Sequence, residues 1–270
     1  PELIPDNLRN MSKHPNETPL FPILFVTIAC GAISGFHATQ SPLMARCMKN
    51  ETLGRKIFYG TMITEGIVAL IWAAAAMTFF GNVDLLNDAM LANNSNAAWA
   101  ANEISTSMLG KFGGLLALLG IVAAPITSGD TAFRSARLIL ADVFKTDQTK
   151  IKNRLLLSIP LFMVAFILTQ VDFGIIWRYF AWSNQTLATV VLWTITSYLT
   201  YTKKFYWITL IPSIFMTMVC STYILIAPEG FGLANTISYV LGGIITVIIC
   251  LIFFLFIMKK QKTYQISDAN

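Results

Sequence analysis

The stretch IFYGTMITEGIVALIWAAAAMTFF, residues 57–80, carries a single charged side chain, Glu65. Crossing the hydrocarbon core of a bilayer takes about 20 predominantly apolar residues, and this stretch is long enough. Similar runs recur along a chain that is 55% hydrophobic and 12% charged, with a mean hydropathy of +0.63. A soluble domain has roughly a quarter charged residues. The sequence therefore predicts an all-α fold, a polytopic transmembrane helix bundle.

The apolar runs predict about seven membrane spans, with one transmembrane domain over residues 1–258 and a short cytoplasmic tail over 259–270. The runs are too long, and alternate too little, for the roughly ten-residue strands of a membrane β-barrel. Two loop segments, 83–93 and 97–109, each predict a short amphipathic helix on the outer surface, and 128–144 predicts a helix along the inner interface. The seven spans are expected at 20–36, 57–80, 109–126, 154–170, 174–200, 205–227 and 236–258.

The basic residues indicate the orientation, because cytoplasmic loops of membrane proteins are enriched in Lys and Arg. With residues 1–19 outside and the C-terminus in the cytoplasm, all but four of the 19 basic residues face inward. The four exceptions are Arg9, Lys13, Lys111 and Arg178. The net charge of +5 is then a topology signal, and nothing else in the sequence supports nucleic-acid binding.

Two predicted spans end in a Ser-Gly step on the cytoplasmic side. The pattern S-G-x-x-A begins at Ser34 and again at Ser128. Glycine and proline at such places free backbone groups that side chains, water or a ligand must satisfy. Broken helices in corresponding positions are typical of transporter binding sites. An ordinary helix end, with Thr127 or Ser128 as the cap, explains the second pattern equally well.

Three ionisable side chains are candidates for moving a proton. Glu65 is the only acidic residue within an uninterrupted span, and it shares a helical face with small residues, so we expect it to point into the bundle. Asp130 is either an ion or proton ligand or a residue stabilised by a helix dipole. His37 can titrate near neutral pH, or it can act as a hydrogen-bonding tether.

Polar residues in the fifth span form a second group of candidates. Arg178 lies among aromatic residues, and it either snorkels from an outer aromatic belt or attracts a carboxylate to an outer vestibule. Asn184 and Gln185 follow about one turn deeper, where they either bind substrate or bridge helices.

Other protein classes find less support. The chain contains neither the H-E-x-x-H pattern of zinc proteases nor a G-x-S-x-G nucleophile elbow, so we do not expect an enzyme. The cysteines Cys30, Cys47, Cys220 and Cys250 have no metal spacing. A nutrient sensor would need a signalling domain, and a channel of the same architecture remains an alternative.

Four long motifs resemble the carbon starvation protein A family of bacterial inner-membrane proteins. They are SGFHATQSPLMARCMKNE (34–51), GRKIFYGTMITEGIVALIWAAAAMTFFG (54–81), APITSGDTAFRSARLILAD (124–142) and DFGIIWRYFAWSNQTLATVVLWTI (172–195). Members of that family are longer and carry further N-terminal helices. The resemblance therefore suggests a C-terminal portion, which we expect not to transport on its own.

The resemblance implies a secondary transporter similar to the amino acid–polyamine–organocation group. It implies uptake of peptides or pyruvate during carbon starvation, coupled to protons, across the bacterial inner membrane. The expected partners are the small-molecule substrate, H⁺ and lipid, with no cofactor, metal or nucleic acid. The choice between H⁺ and Na⁺ and the oligomeric state stay open.

The predicted site lies between the two Ser-Gly steps and the Asn-Gln pair of the fifth span. Backbone N–H groups freed at a half-helix start suit a carboxylate. We expect proton coupling through Glu65, Asp130 and His37. The expected substrate-binding residues are Ser34, Gly35, Thr39, Gln40, Thr127, Ser128, Gly129, Asn184 and Gln185.

Overall fold

The computed structural model describes residues 19–27, 34–93, 96–171 and 173–258. Over those ranges the regular structure is helical, with no strand, which confirms the predicted all-α class. Residues 1–18 of the predicted outer segment, the middle of the first span with Cys30, and the tail 259–270 lie outside the described residues. In chain order the helices are α1 (Leu20–Thr27), α2 (Phe36–Cys47), α3 (Thr61–Phe80), α4 (Val83–Ala92), α5 (Ala97–Val143), α6 (Ile151–Leu168), α7 (Phe173–Tyr201), α8 (Trp207–Ile226) and α9 (Asn235–Ile252).

The helices agree with the predicted spans. Among the described residues, five helical stretches are long and apolar enough to cross a membrane, and each contains or overlaps a predicted span. They are Glu51–Phe80, Ala97–Val143, Ile151–Leu168, Trp207–Ile226 and Asn235–Ile257. The predicted span 174–200 corresponds to α7, and the first predicted span is described only at its two ends.

The chain divides into two compact units. Unit 1 contains Leu43–Phe166, and unit 2 contains Pro19–Pro42 together with the chain from Ile167 onward. In unit 1, a π-helical turn over Arg55–Gly60 leads into α3, which has no buried residue. The long apolar run that predicted a span is thus helical, and its side chains lie at the surface of unit 1.

Asparagine side chains cap the N-termini of the two amphipathic helices of unit 1. Asn82 accepts a hydrogen bond from the backbone N–H of Leu85 at 2.8 Å, and Asn96 accepts from Ala98 at 2.9 Å. These are N-caps, in which a side-chain oxygen satisfies backbone donors at the helix start. The structure confirms both predicted helices, as α4 and as the first part of α5.

Helix α5 changes direction at Gly110, whose φ of +69° and ψ of −178° are not helical. A residue with a side chain rarely adopts such a positive φ, so the change of direction depends on glycine. The interruption falls where the third span was predicted to begin, between the outer amphipathic segment and the apolar run.

A short connection joins α5 to α6. Arg154 donates to the backbone oxygen of Gln148 at 2.7 Å, and Asn153 donates to that of Asp147 at 2.8 Å. The carboxylate of Asp147 accepts hydrogen bonds from the hydroxyl and the backbone N–H of Thr149, and these hold the pKa of Asp147 below its usual value of 3.8. The connection is therefore tied to the first turn of α6.

Unit 2 is built around α8, which has nine buried residues. Helices α1, α7 and α9 pack against α8. Val26 of α1 lies in the core with Val219 and Tyr223 of α8, and the ring of Phe25 lies 4.8 Å from that of Phe215. The core of unit 2 is thus an apolar cluster between α1 and α8, flanked by α7.

Small hydroxylated residues line the contact between α7 and α8. Thr196 and Ser213 are fully buried, and their hydroxyl oxygens lie 3.3 Å apart. Each also donates to the carbonyl four residues earlier in its own helix, at 2.7 Å for Thr196 and 2.6 Å for Ser213. Small side chains let membrane helices approach closely, so this contact is close yet leaves no hydroxyl of the pair unsatisfied.

Candidate functional site

The predicted break at Ser34 is present in unit 2. Ser34 is buried and not helical, and α2 begins two residues later. Its hydroxyl accepts from the backbone N–H of Phe36 at 3.3 Å, and its carbonyl accepts from that of His37 at 3.3 Å. The Nδ1 atom of His37 lies 2.9 Å from the same carbonyl oxygen. Ser34 therefore caps the start of α2.

The expectation of freed backbone donors at this helix start is wrong. The N–H groups of Phe36, His37 and Ala38 all have acceptors within the turn formed by Ser34 and Gly35. These backbone groups are already hydrogen-bonded. A bound anion would therefore be stabilised mainly by the positive end of the helix dipole.

Gly35 touches the middle of α7. A Cβ atom added to Gly35 would lie 2.4 Å from the backbone oxygen of Asn184 and 2.8 Å from its Oδ1. The side-chain amide of Asn184 in turn lies 3.3 Å from the Ser34 hydroxyl. The structure thus brings together three predicted site residues, and their contact requires glycine at position 35.

Gln185 is the buried polar residue next to this contact. Its side chain is 0% exposed, and neither its Nε2 nor its Oε1 has a hydrogen-bond partner among the described residues. On the same face of α7, Thr189 lies 3.5 Å from the sulfur of Cys220 in α8. Leaving a buried amide without hydrogen bonds destabilises a protein by about 1–3 kcal/mol. Packing among the described residues therefore does not explain why a glutamine is buried at position 185.

Two further predicted residues lie on the first turn of α2. Thr39 donates to the carbonyl of Phe36 at 3.1 Å, so its hydroxyl is satisfied within the helix. Gln40 is half-buried on the following position. Both are near the Ser34 turn in sequence and in space.

The prediction of an unwound segment at the second Ser-Gly step is wrong. Residues 127–130 lie within the continuous part of α5, in unit 1. Thr127 donates to the carbonyl of Ala124 at 2.9 Å, and Asp130 forms an exposed ion pair with Arg134 at 2.8 Å. A Cβ atom on Gly129 would meet nothing within 4 Å. Helical hydrogen bonds are therefore maintained through Thr127, Ser128, Gly129 and Asp130.

Glu65 occupies an exposed face of α3. Thr64 beside it donates to the carbonyl of Gly60 at 3.0 Å. No part of α3 is buried within the described residues, so the partial burial expected for Glu65 is not seen there.

Sequence reasoning missed the acidic residue that pairs with Arg178. The Nε atom of Arg178 lies 3.0 Å from Oε1 of Glu229, whose side chain is only 4% exposed. Tyr223 donates to the same carboxylate oxygen at 2.8 Å, and Tyr179 donates to the backbone oxygen of Glu229. Arg178 thus ties the start of α7 to the loop between α8 and α9, instead of snorkelling from an aromatic belt. The available signal was that Glu229 is the only acidic residue between Asp172 and Asp268.

Helices that are long and apolar enough to cross a membrane, repeated along the chain, define a polytopic helical membrane protein. The model of the family "Carbon starvation protein CstA" matches residues 7–174 and 102–223. The chain belongs to this family.

Several relatives are similar to parts of the chain. An uncharacterized protein of Haemophilus influenzae is 47% identical over 119 residues, which are 44% of this chain and 86% of that protein. The peptide transporter CstA of Campylobacter jejuni is 25% identical over 82% of this chain and 41% of its own length. The pyruvate/proton symporter BtsT of Escherichia coli is 52% identical over 58 residues, 21% of this chain and 8% of its own. The chain thus spans less than half of the two named transporters, and no solved structure matches it.

The two S-G-x-x-A glycines allow a matched test of the close contact at Gly35. We expect Gly35→Ala to lower the thermal unfolding midpoint, because the new methyl group would overlap the backbone of α7. The same substitution at Gly129 has open space and a helical backbone, so it should leave stability unchanged or raise it by up to about 1 kcal/mol. Thermal melts of both variants in one detergent check this. Equal effects at the two positions would contradict the close contact.

Proposed function

We propose that the protein is a secondary active transporter of the bacterial inner membrane, which imports a peptide or a small carboxylate such as pyruvate during carbon starvation. Two lines of support are the family to which the chain belongs and relatives named as a peptide transporter and a pyruvate/proton symporter. The observation that carries the proposal is the amide of Gln185, which is fully buried next to the Ser34–Asn184 contact and has no partner in the described parts of the chain.

The chemistry of Gln185 favours a peptide over pyruvate. A glutamine amide has both a donor and an acceptor. A peptide bond offers the complementary pair, an N–H and a carbonyl, whereas the pyruvate anion offers acceptors alone. A bound peptide would satisfy both Nε2 and Oε1 of Gln185, with Ser34 and Asn184 alongside. Thr39 and Gln40 on α2 complete this group in unit 2.

The orientation is also part of the proposal. With the C-terminus in the cytoplasm, the loop joining α5 to α6 faces inward and α4 faces outward. Single cysteines at Asp88 in α4 and Thr149 in the loop, in a background with the natural cysteines changed to serine, should react with membrane-impermeant reagents from opposite sides. Both positions are exposed. Reaction of both from the same side would overturn the orientation.

Gln185→Leu separates a substrate-binding role from a structural one. We expect the variant to raise the KM for dipeptide uptake about tenfold, because a buried hydrogen-bond pair is lost. The substrate-free protein should melt at a higher temperature, because an unpaired polar group has left the core. Uptake and thermal unfolding are both measured on the full-length protein.

Gln170→Leu is the matched control, since Gln170 is exposed and donates to its neighbour Thr169. It should change neither quantity. Normal uptake by Gln185→Leu, together with a lower melting temperature, would make Gln185 a structural residue and would remove the main support for this site.

Proton coupling is proposed to run through Glu65, with His37 or Asp130 as the exchange partner. Asp130 is already paired with Arg134, which makes Glu65 the first carboxylate to test. Its position in an apolar helix supports the proposal, because ionisable residues in membrane segments are costly and commonly functional. The peptide site and Glu65 lie in different units of the chain.

Glu65→Gln imitates the protonated carboxyl group. We expect this variant to exchange labelled for unlabelled dipeptide at the normal rate, yet to lose accumulation driven by a pH gradient. Glu103→Gln, at an exposed position of α5, is the control and should accumulate normally. Normal accumulation by Glu65→Gln would exclude the coupling role, and Asp130 would become the next residue to test.

A further inference from the structure

A cavity of about 240 Å³ opens between α5 and α6 within unit 1. Three of its lining residues are apolar: Phe133 on α5, and Leu161 and Phe162 on α6. The rings of Phe133 and Phe162 are 4.5 Å apart, so the two helices are in contact beside the cavity. The cavity is separate from the proposed peptide site, which belongs to unit 2.

The polar lining residues carry an excess of positive charge. They are Asp130, Arg134 and Arg137 on α5 and Ser158 on α6. Asp130 and Arg134 neutralise each other in an ion pair of 2.8 Å. Arg137 has no hydrogen bond or ion pair with any other described residue, and neither has the Ser158 hydroxyl. One guanidinium charge and one hydroxyl donor therefore remain available at the cavity.

Two of the polar lining residues lie close to the loop that joins α5 to α6, which the proposed orientation places on the cytoplasmic side. Arg137 is six residues before the end of α5 and Ser158 is seven residues after the start of α6, so each lies about 9–10 Å along its helix from the connecting loop, at 1.5 Å per residue. Phe162 is one turn further from the loop than Ser158. Beyond it, Phe166 on α6 is 68% exposed. Arg137 and Ser158 are thus the polar lining residues nearest the loop, Arg134 and Asp130 lie further along α5, and an apolar surface continues along α6.

We propose that this cavity binds the headgroup of a singly charged anionic phospholipid, of the phosphatidylglycerol type, in the cytoplasmic leaflet. The phosphate would accept hydrogen bonds from Arg137 and Ser158, and an acyl chain would follow Phe162 and Phe166. Arginine suits a phosphate because its planar group offers two parallel donors. Basic pockets between membrane helices on the cytoplasmic side commonly bind anionic headgroups.

Two features favour a lipid with one phosphate. The uncompensated charge of the cavity is a single positive charge, so a lipid with two phosphates would leave one of them unmatched. A soluble anion would gain nothing from the apolar lining residues or from the exposed apolar surface of α6. The proposal is independent of the transported substrate, since it uses none of Ser34, Asn184 and Gln185.

Native mass spectrometry of the purified full protein tests the proposal, with phosphatidylglycerol and phosphatidylcholine added in separate titrations. We expect Arg137→Gln to weaken binding of the first phosphatidylglycerol about tenfold, as loss of a charge-assisted hydrogen bond predicts. Asp130→Asn should strengthen it, because it removes the only negative charge of the cavity. Neither variant should change phosphatidylcholine binding.

Lys152→Gln is the matched control, because Lys152 is an exposed basic residue of α6 outside the cavity. If it weakens binding as much as Arg137→Gln does, the lipid responds to diffuse charge and the specific site is wrong. Displacement of the lipid by millimolar inorganic phosphate would mark the cavity as a site for soluble anions. Should Arg137→Gln fail to fold, Ser158→Ala removes only the hydroxyl, and undiminished lipid binding by that variant would also overturn the proposal.

Discussion

Every polar group that enters the hydrocarbon of a bilayer must find its partner within the protein, and this constraint governs the helices of this chain. In unit 2 it is met almost everywhere. The indole N–H of Trp193 donates to Thr217 at 2.9 Å, and that of Trp182 donates to the carbonyl of Cys220 at 3.0 Å. Three side chains of unit 2 are exceptions among the described residues: the Thr222 hydroxyl and one carboxylate oxygen of Glu229 are buried without a partner, and Gln185 is the one whose donor and acceptor are both unpaired.

Two contacts hold the part of α7 that leads to Gln185. About two turns toward the start of α7, Arg178 is bound to Glu229 in the loop after α8. At the adjacent position, Asn184 is in contact with Ser34 and Gly35. A binding group is more effective when its neighbours fix its position before the ligand arrives. These contacts therefore give Gln185 a pre-organised position, which agrees with a role in recognition.

The sequence predicted the helices and the break at Ser34 from apolar run lengths and from the Ser-Gly step. The same pattern at Ser128 failed, because neighbours decide whether the backbone leaves the helix. At Gly35 the backbone of α7 lies where a side chain would be, whereas at Gly129 nothing lies within 4 Å. The partner of Arg178 was missed for a related reason: Glu229 is 51 residues away in sequence, and a distant pairing follows from the packing of helices, which periodicity does not report.

The hydroxyls between α7 and α8 bear on how the protein is made. Thr200, Ser213 and Thr217 each donate to the carbonyl four residues earlier in their own helix, at 2.6–2.8 Å. Such a bond forms as soon as the single helix exists, so each helix can leave the translocon with these polar groups already satisfied. Association then occurs afterwards, within the bilayer, and van der Waals fit between small side chains drives it. For these three residues, insertion of the individual helices and their later lateral assembly are thus separate steps, because neither step leaves the hydroxyl without a hydrogen bond.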